Sequence, residues 1–318
     1  MSKTALICGV TGQDGAYLAQ LLLSKGYKVI GTSRDAEASS FSNLEKLGIK
    51  SQVTLASMSL NDFRSVLQVI AKYEPVEIYN LAGQSSVGLS FALPVETMES
   101  ISAGVLNLLE AVRFANKKIR IYNAGSGEVF GDTGEEPANE QTAFRPRSPY
   151  AVAKAAGFWQ VENYREAYDL FACTGLLFNH ESTLRPKRFV TQKIILGAKE
   201  IAAGNLKNMV LGNLDITRDW GWAPEYVEAM WLMLQTPSAE DFVIATGSSY
   251  SLEQFVEKAF EPYGLDWQKY VQVDKSFFRP LDIQISRADP SKAKKQLAWH
   301  PKTSLDTIIV KMSKEVLN

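Results

Sequence analysis

Apolar, β-branched runs alternate with amphipathic segments through the first half of the chain. Residues 5–10, 29–32, 53–56, 76–81 and 119–122 read as strands, and helix-like sequence follows each. Residues 16–24, 60–72 and 105–115 space their apolar positions by three and four, as one buried helix face requires. This β-α alternation predicts an α/β fold: a Rossmann-type, doubly wound parallel sheet with helices on both faces. Further on, residues 224–235 look helical and 241–246 look like one more strand of that sheet. No Pro/Gly/Ser-rich linker separates a second lobe, so it must be interleaved. We assign residues 1–178 plus 213–247 to a dinucleotide-binding domain and 179–212 plus 248–318 to a smaller substrate domain.

Composition narrows the function. Among 318 residues, 34 basic side chains are scattered among 35 acidic ones for a net charge of -1, which argues against nucleic acid or an anionic membrane as partner. The apolar run after Lys3 is too short for a secretory leader, and no run reaches the roughly eighteen residues of a membrane span, so a cytoplasmic protein is expected. Cys8 and Cys173 both lie in apolar runs and read as buried thiols. No Cys/His/carboxylate cluster has metal-ligand spacing, and no metal is expected.

The first strand runs into Gly9-Val-Thr-Gly12-Gln-Asp-Gly15, directly before a helical pattern. Gly9 suits the tight turn, Gly12 lets backbone N–H groups approach a pyrophosphate, and Gly15 permits close helix packing. The second strand ends in Ser33-Arg34, where an NAD site usually has a carboxylate, so the reading is NADP, with both side chains on the 2′-phosphate despite Asp35 alongside. Tyr150 and Lys154 lie one turn apart on a helix opened by Pro149, and the ammonium is expected to draw the phenol towards neutrality. Ser126 and Glu128 follow the strand at 119–122 and should emerge at its C-terminal edge.

With these residues in place, the chain resembles the extended short-chain dehydrogenase/reductases, and within them the GDP-mannose 4,6-dehydratase family. The resemblance rests on the glycine turn, Asn80-Leu-Ala-Gly-Gln-Ser85, Arg147-Ser-Pro-Tyr-Ala-Val-Ala-Lys154 and Leu177-Phe-Asn-His-Glu-Ser182, continued by Phe189–Lys193, Gly212–Asp215, Arg218–Gly221 and Phe278–Pro280. It implies that Tyr150 takes a proton from the mannose 4-OH, held by Ser126, while hydride passes to NADP. Glu128 then removes the C5 proton, water leaves from C6, and the hydride returns there. It further implies cofactor contacts from Gly9, Thr11, Gly12, Gln13, Asp14, Gly15, Leu81, Ala82, Gly83, Tyr150 and Lys154. Substrate contacts would come from Ser85 at the hexose, Asn179 and Lys193 at the diphosphate or base, and Arg218 and Arg279 on the diphosphate. His180 is expected to be structural and His300 to lie at the surface.

Three departures bear on this. Arg34 is followed by Asp35 where the family carries a second arginine that helps bind across a subunit interface, which bears on whether the expected homo-oligomer is a dimer or a tetramer. Ser59 replaces an aspartate near the adenine, and Gly127 replaces a hydroxyl residue between Ser126 and Glu128. A GDP-4-keto-6-deoxy-sugar reductase, a dehydratase for another GDP-sugar such as a heptose, and a silent NADP-binding sensor remain the alternatives.

Overall fold

The computed structural model describes residues 2–115 and 118–315. Twelve strands are seen among them: β1 (Thr4–Cys8), β2 (Lys28–Ser33), β3 (Thr54–Ser57), β4 (Glu77–Asn80), β5 (Arg120–Ala124), β6 (Ala172–Leu177), β7 (Asn179–Glu181), β8 (Met209–Leu211), β9 (Thr217–Trp222), β10 (Phe242–Ile244), β11 (Ser249–Ser251) and β12 (Val271–Val273). Seven of them form one sheet in the order β10-β6-β5-β4-β1-β2-β3, every pair parallel. The five strands expected from the apolar runs are β1 to β5.

Alternate residues of each strand face opposite layers. Ala5, Ile7, Tyr79 and Tyr122 pack on one side with helices Gln13–Ser24 and Ala223–Met233, while Leu6, Cys8, Ile78 and Ile121 pack on the other with Phe63–Tyr73, Gly104–Ala115 and Pro149–Tyr168. Both faces are therefore dry, which is why these strands read as continuous apolar runs. The two thiols are free and buried in opposite layers, Cys8 in one and Cys173 in the other. The chain runs from β1 outwards to β3, then returns to β4 on the other flank of β1. A crevice opens at that reversal, outside the C-terminal strand ends.

The remaining strands make a three-stranded sheet, β11-β9-β7, and a pair, β12-β8. Helices Val190–Ala202, Leu252–Phe260 and Leu305–Glu315 close a third core over them. The helix Ala223–Met233 and strand β10 return to the large sheet as expected. Strand β9 does not: grouped with the larger domain on sequence, it pairs with β7 and β11, because Trp220 and Trp222 are buried in the third core, Trp220 5.2 Å from the ring of Phe255. No helix among the described residues is long and apolar enough to cross a membrane.

One of the tightest backbone contacts lies in the turn that follows β1. A Cβ on Gly15 would stand 2.4 Å from the Gly9 carbonyl oxygen and 2.7 Å from the Val10 Cα, so the first helix can sit on the turn only with glycine there. Gly15→Ala is expected to cost roughly 1–3 kcal/mol in urea denaturation, the usual penalty of overpacking; unchanged stability would contradict this close approach.

Candidate active site

The glycine turn is built by backbone geometry. Gly9 adopts φ +86°, its N–H donates to the Thr32 carbonyl at 3.1 Å, and Gly12 N–H donates back to the Gly9 carbonyl at 3.2 Å. Gly12 starts helix Gln13–Ser24 without any side-chain cap, leaving the first-turn N–H groups for an anion. A Cβ on Gly9 would lie 3.0 Å from the Ala82 backbone, so the turn rests on the segment Leu81–Gly83 that follows β4. The Asn43 amide donates to the Thr11 carbonyl at 2.9 Å and pins the turn's outer side.

Gln13 and Asp14 turn inwards to the small sheet. The Gln13 amide donates to the His180 carbonyl (3.2 Å) and to Asp14 (3.0 Å), and its oxygen accepts the Ser182 hydroxyl (2.6 Å). With those atoms bonded and the residue buried, the Gln13 side chain ties the glycine turn to the segment around β7. His180 stacks on Tyr226 at 4.5 Å and sets one ring nitrogen 2.8 Å from the Phe178 carbonyl and the other 2.9 Å from the Asp14 carboxylate. Two facing acceptors favour the imidazolium. Burial pulls His180 down and pushes Asp14 up, but their mutual charge and hydrogen bond win, so His180 is raised and Asp14 lowered.

At the end of β2, the Ser33 hydroxyl is buried without a partner and Arg34 is exposed beside it. Asp35 is engaged by its own loop, accepting the N–H groups of Glu37 (2.9 Å) and Ala38 (3.0 Å). The unfavourable charge expected next to Arg34 is thus partly occupied.

Ser126 and Glu128 leave β5 on the short 3₁₀ turn Gly127–Phe130, whose first N–H groups include that of Glu128, bonded to the Ser126 hydroxyl at 3.2 Å. A Cβ on Gly127 would meet the Phe178 ring at 2.8 Å. The departure at this position is therefore matched by an aromatic ring lying against the turn. Helix Pro149–Tyr168 starts from the Ser148 hydroxyl, which accepts the Ala151 N–H at 3.1 Å, with Pro149 in the first turn. Tyr150 and Lys154 both face the cleft from it.

Their electrostatics correct one expectation. Burial, with the Glu128 charge adding to it, pushes the Tyr150 phenol up to about 12, although a hydrogen bond with Ser126 works against this. Burial also pulls Lys154 down to about 8. The ammonium donates to the Ala124 carbonyl at 2.6 Å and stands 5.8 Å from the Tyr150 ring centroid, so without ligands it does not bring the phenol towards neutrality.

One cleft of about 440 Å³ gathers Ser126, Glu128, Tyr150 and Lys154 with Ser85, Asn179, Lys193, Arg218 and Arg279, and with Asp14 and Leu81. Arg218 is 3% exposed and bonds the Thr217 carbonyl at 2.9 Å. It shares Asp282 with Arg279, at 3.4 and 3.6 Å. Lys193 donates to the Val210 carbonyl at 2.7 Å and stands 5.2 Å from the Phe277 ring centroid. Sequence reasoning missed Arg185, Arg188 and Phe277 in this wall; His180, expected to be structural, is held on both ring nitrogens and also lies at the cleft's edge. The basic run Arg185-Pro-Lys-Arg188, just after a recognised block, was the available signal. Among the described residues, no group of His, Cys, Asp or Glu is arranged to hold a metal.

A doubly wound sheet with a glycine turn at its reversal, a Tyr–Lys helix and a serine beside them defines the architecture of a dehydrogenase/reductase-type protein. Residues 6–312 match the family model described as GDP-mannose 4,6 dehydratase. GDP-mannose 4,6 dehydratase 1 of Arabidopsis thaliana is 43% identical over 325 residues, covering 99% of this chain and 90% of its own. The GDP-mannose 4,6-dehydratase of Vibrio cholerae is 41% identical, covering 100% of this chain and 94% of its own. Among solved structures, a Thermus thermophilus UDP-glucose 4-epimerase in complex with NAD superposes with a TM-score of 0.87 at 23% identity, covering 99% of each chain. The chain belongs to the GDP-mannose 4,6 dehydratase family.

The phenol's position gives a direct test. In an ultraviolet difference titration of the ligand-free protein against Tyr150→Phe, the tyrosinate signal assigned to Tyr150 should appear only as pH approaches about 12. A difference signal near neutrality would contradict the burial described.

Proposed function

We propose that this protein is an NADP-dependent GDP-mannose 4,6-dehydratase, converting GDP-D-mannose to GDP-4-keto-6-deoxy-D-mannose. The observation that carries the reading is Glu128: a carboxylate on the turn after β5, in the same cleft as Ser126, Tyr150 and Lys154. Simple oxidation or reduction at C4 needs no such base, whereas eliminating water across C5 and C6 does.

The residues divide the work as follows. Ser126 holds the sugar 4-OH and Tyr150 takes its proton, with Lys154 as the cation able to favour the phenolate once the site is filled. When bound, the nicotinamide supplies the hydride acceptor at C4 and the donor at C6. The C4 ketone acidifies the neighbouring C5–H. Glu128 removes that proton and passes it to the departing C6 hydroxyl, which leaves as water, and C5 takes a proton from solvent as C6 is reduced. Arg218 and Arg279 hold the diphosphate, with Lys193 and Asn179 towards the nucleoside end and Ser85 at the hexose.

NADP is favoured over NAD by the unpartnered Ser33 hydroxyl and the exposed Arg34 at the end of β2, with one oxygen of Asp35 engaged by its own loop. The uncapped helix head and the open face of Gly12, with no atom nearer than 3.5 Å to a built Cβ, suit the pyrophosphate. Gly9, Thr11, Asp14, Gly15, Leu81, Ala82 and Gly83 complete that site in this reading. We further propose a two-lobed, cytoplasmic homo-oligomer. Exposed Leu93, Val95, Leu106, Val152 and Trp159 on neighbouring helices support self-association.

The assay is incubation of the protein with GDP-mannose and catalytic NADP. A 4-keto-6-deoxy product should form with no net change in nicotinamide absorbance, and Glu128→Gln should lower its rate by roughly 10²-fold or more. Tyr150→Phe should stop turnover while leaving cofactor binding nearly intact. Stoichiometric NADPH oxidation with a keto-sugar, or full activity of Glu128→Gln, would sink the dehydratase reading.

A further inference from the structure

Phe189 immediately precedes helix Val190–Ala202 and borders the cleft between two arginines that also line it. The Arg185 guanidinium carbon lies 3.8 Å from its ring centroid and that of Arg188 lies 5.2 Å away. An aromatic face holds a guanidinium through its quadrupole and brings no countercharge. This differs from the arrangement across the cleft, where Arg218 and Arg279 share the Asp282 carboxylate. Arg185 stands 3.2 Å from Glu181, but that buried carboxylate also accepts the Thr191 hydroxyl at 2.7 Å. Arg188 is exposed and has no carboxylate partner among the described residues.

We propose that Phe189 seats Arg185 and Arg188 as a two-cation clamp for a nucleotide diphosphate, with Arg188 as the cation left uncompensated to meet it. The inference rests on the reading of the cleft as a site for a sugar nucleotide beside a dinucleotide. Both ligands carry a diphosphate, so the shared chemistry is a pair of phosphates bridged by oxygen. Arg185 belongs nearer the cofactor end, since its charge is felt by Asp14 and Tyr150. Arg188 then extends the basic wall towards the cleft mouth. Holding both guanidiniums on one ring fixes their spacing before the ligand arrives, which lowers the ordering cost of binding. Phe189 is a positioning residue, acting through the two cations.

Isothermal titration calorimetry of the full chain with GDP and, separately, with NADPH at low and high salt tests the clamp. Arg188→Gln should raise the Kd of one ligand roughly fivefold or more and flatten its salt dependence. The ligand affected identifies which diphosphate is held. Phe189→Leu should lose at least as much affinity for that ligand, because it frees both cations, while Phe189→Tyr keeps the ring face and should restore binding. An Arg188→Gln protein whose two Kd values stay within about twofold of the parent's overturns the proposal. A Phe189→Tyr variant as weak as Phe189→Leu overturns the seat. If the parent protein binds neither ligand, the reading of the cleft fails and the clamp with it, an outcome distinct from failure of Arg188 alone.

Discussion

The contact on which the site depends is the bond between His180 and Asp14. Asp14 stands in the first turn of the helix that opens at the glycine turn, and His180 stands in β7, the strand where the smaller sheet begins. Held between the Phe178 carbonyl and that carboxylate, the imidazole fixes the small sheet against the cofactor turn. Gln13 and Ser182 repeat the link beside it. The glycine turn of the large sheet and the small sheet are thus registered at the point where both line one cleft. Phe178 carries the same registration to Gly127, whose lack of a side chain lets the ring lie against the catalytic turn.

Electrostatics explains why the site is costly and what that cost is for. Lys154, Arg218 and Tyr150 all sit where burial disfavours their charged forms. Such groups are held by surrounding packing and become useful when ligand charge replaces lost water. In the proposed reaction the basic wall of Arg185, Arg188, Lys193, Arg218 and Arg279 faces ligands rich in phosphate. Glu128 is the counterpoint, a carboxylate kept among cations and aimed at the sugar end in the proposed reaction.

The sheet was legible because its inner strands are buried on both faces, so that Ala5–Cys8 leaves a continuous apolar run and Ile78–Tyr79 lies buried in β4. Tyr150 and Lys154 were legible because helix periodicity alone puts them one turn apart. Strand β9 was not. Its partners are distant in sequence, and local pattern cannot distinguish which sheet will receive Trp220 and Trp222. Nor was the Lys154 bond to the Ala124 carbonyl, a contact between two elements thirty residues apart that redirects the ammonium from the phenol. Arg185 and Arg188 escaped notice because a short basic run in a loop looks like solvated surface until Phe189 is seen beneath it.

The central claim is that oxidation, elimination and reduction occur in one cleft under the control of Tyr150 and Glu128. Turnover of GDP-mannose deuterated at C4 and tritiated at C5, in ordinary water with unlabelled NADPH added, addresses it most directly. The account predicts that the deuterium reappears at C6 of the product while the hydrogen at C5 comes from solvent. Loss of the deuterium to the added nicotinamide pool, or retention of the original hydrogen at C5 of the product, would contradict it.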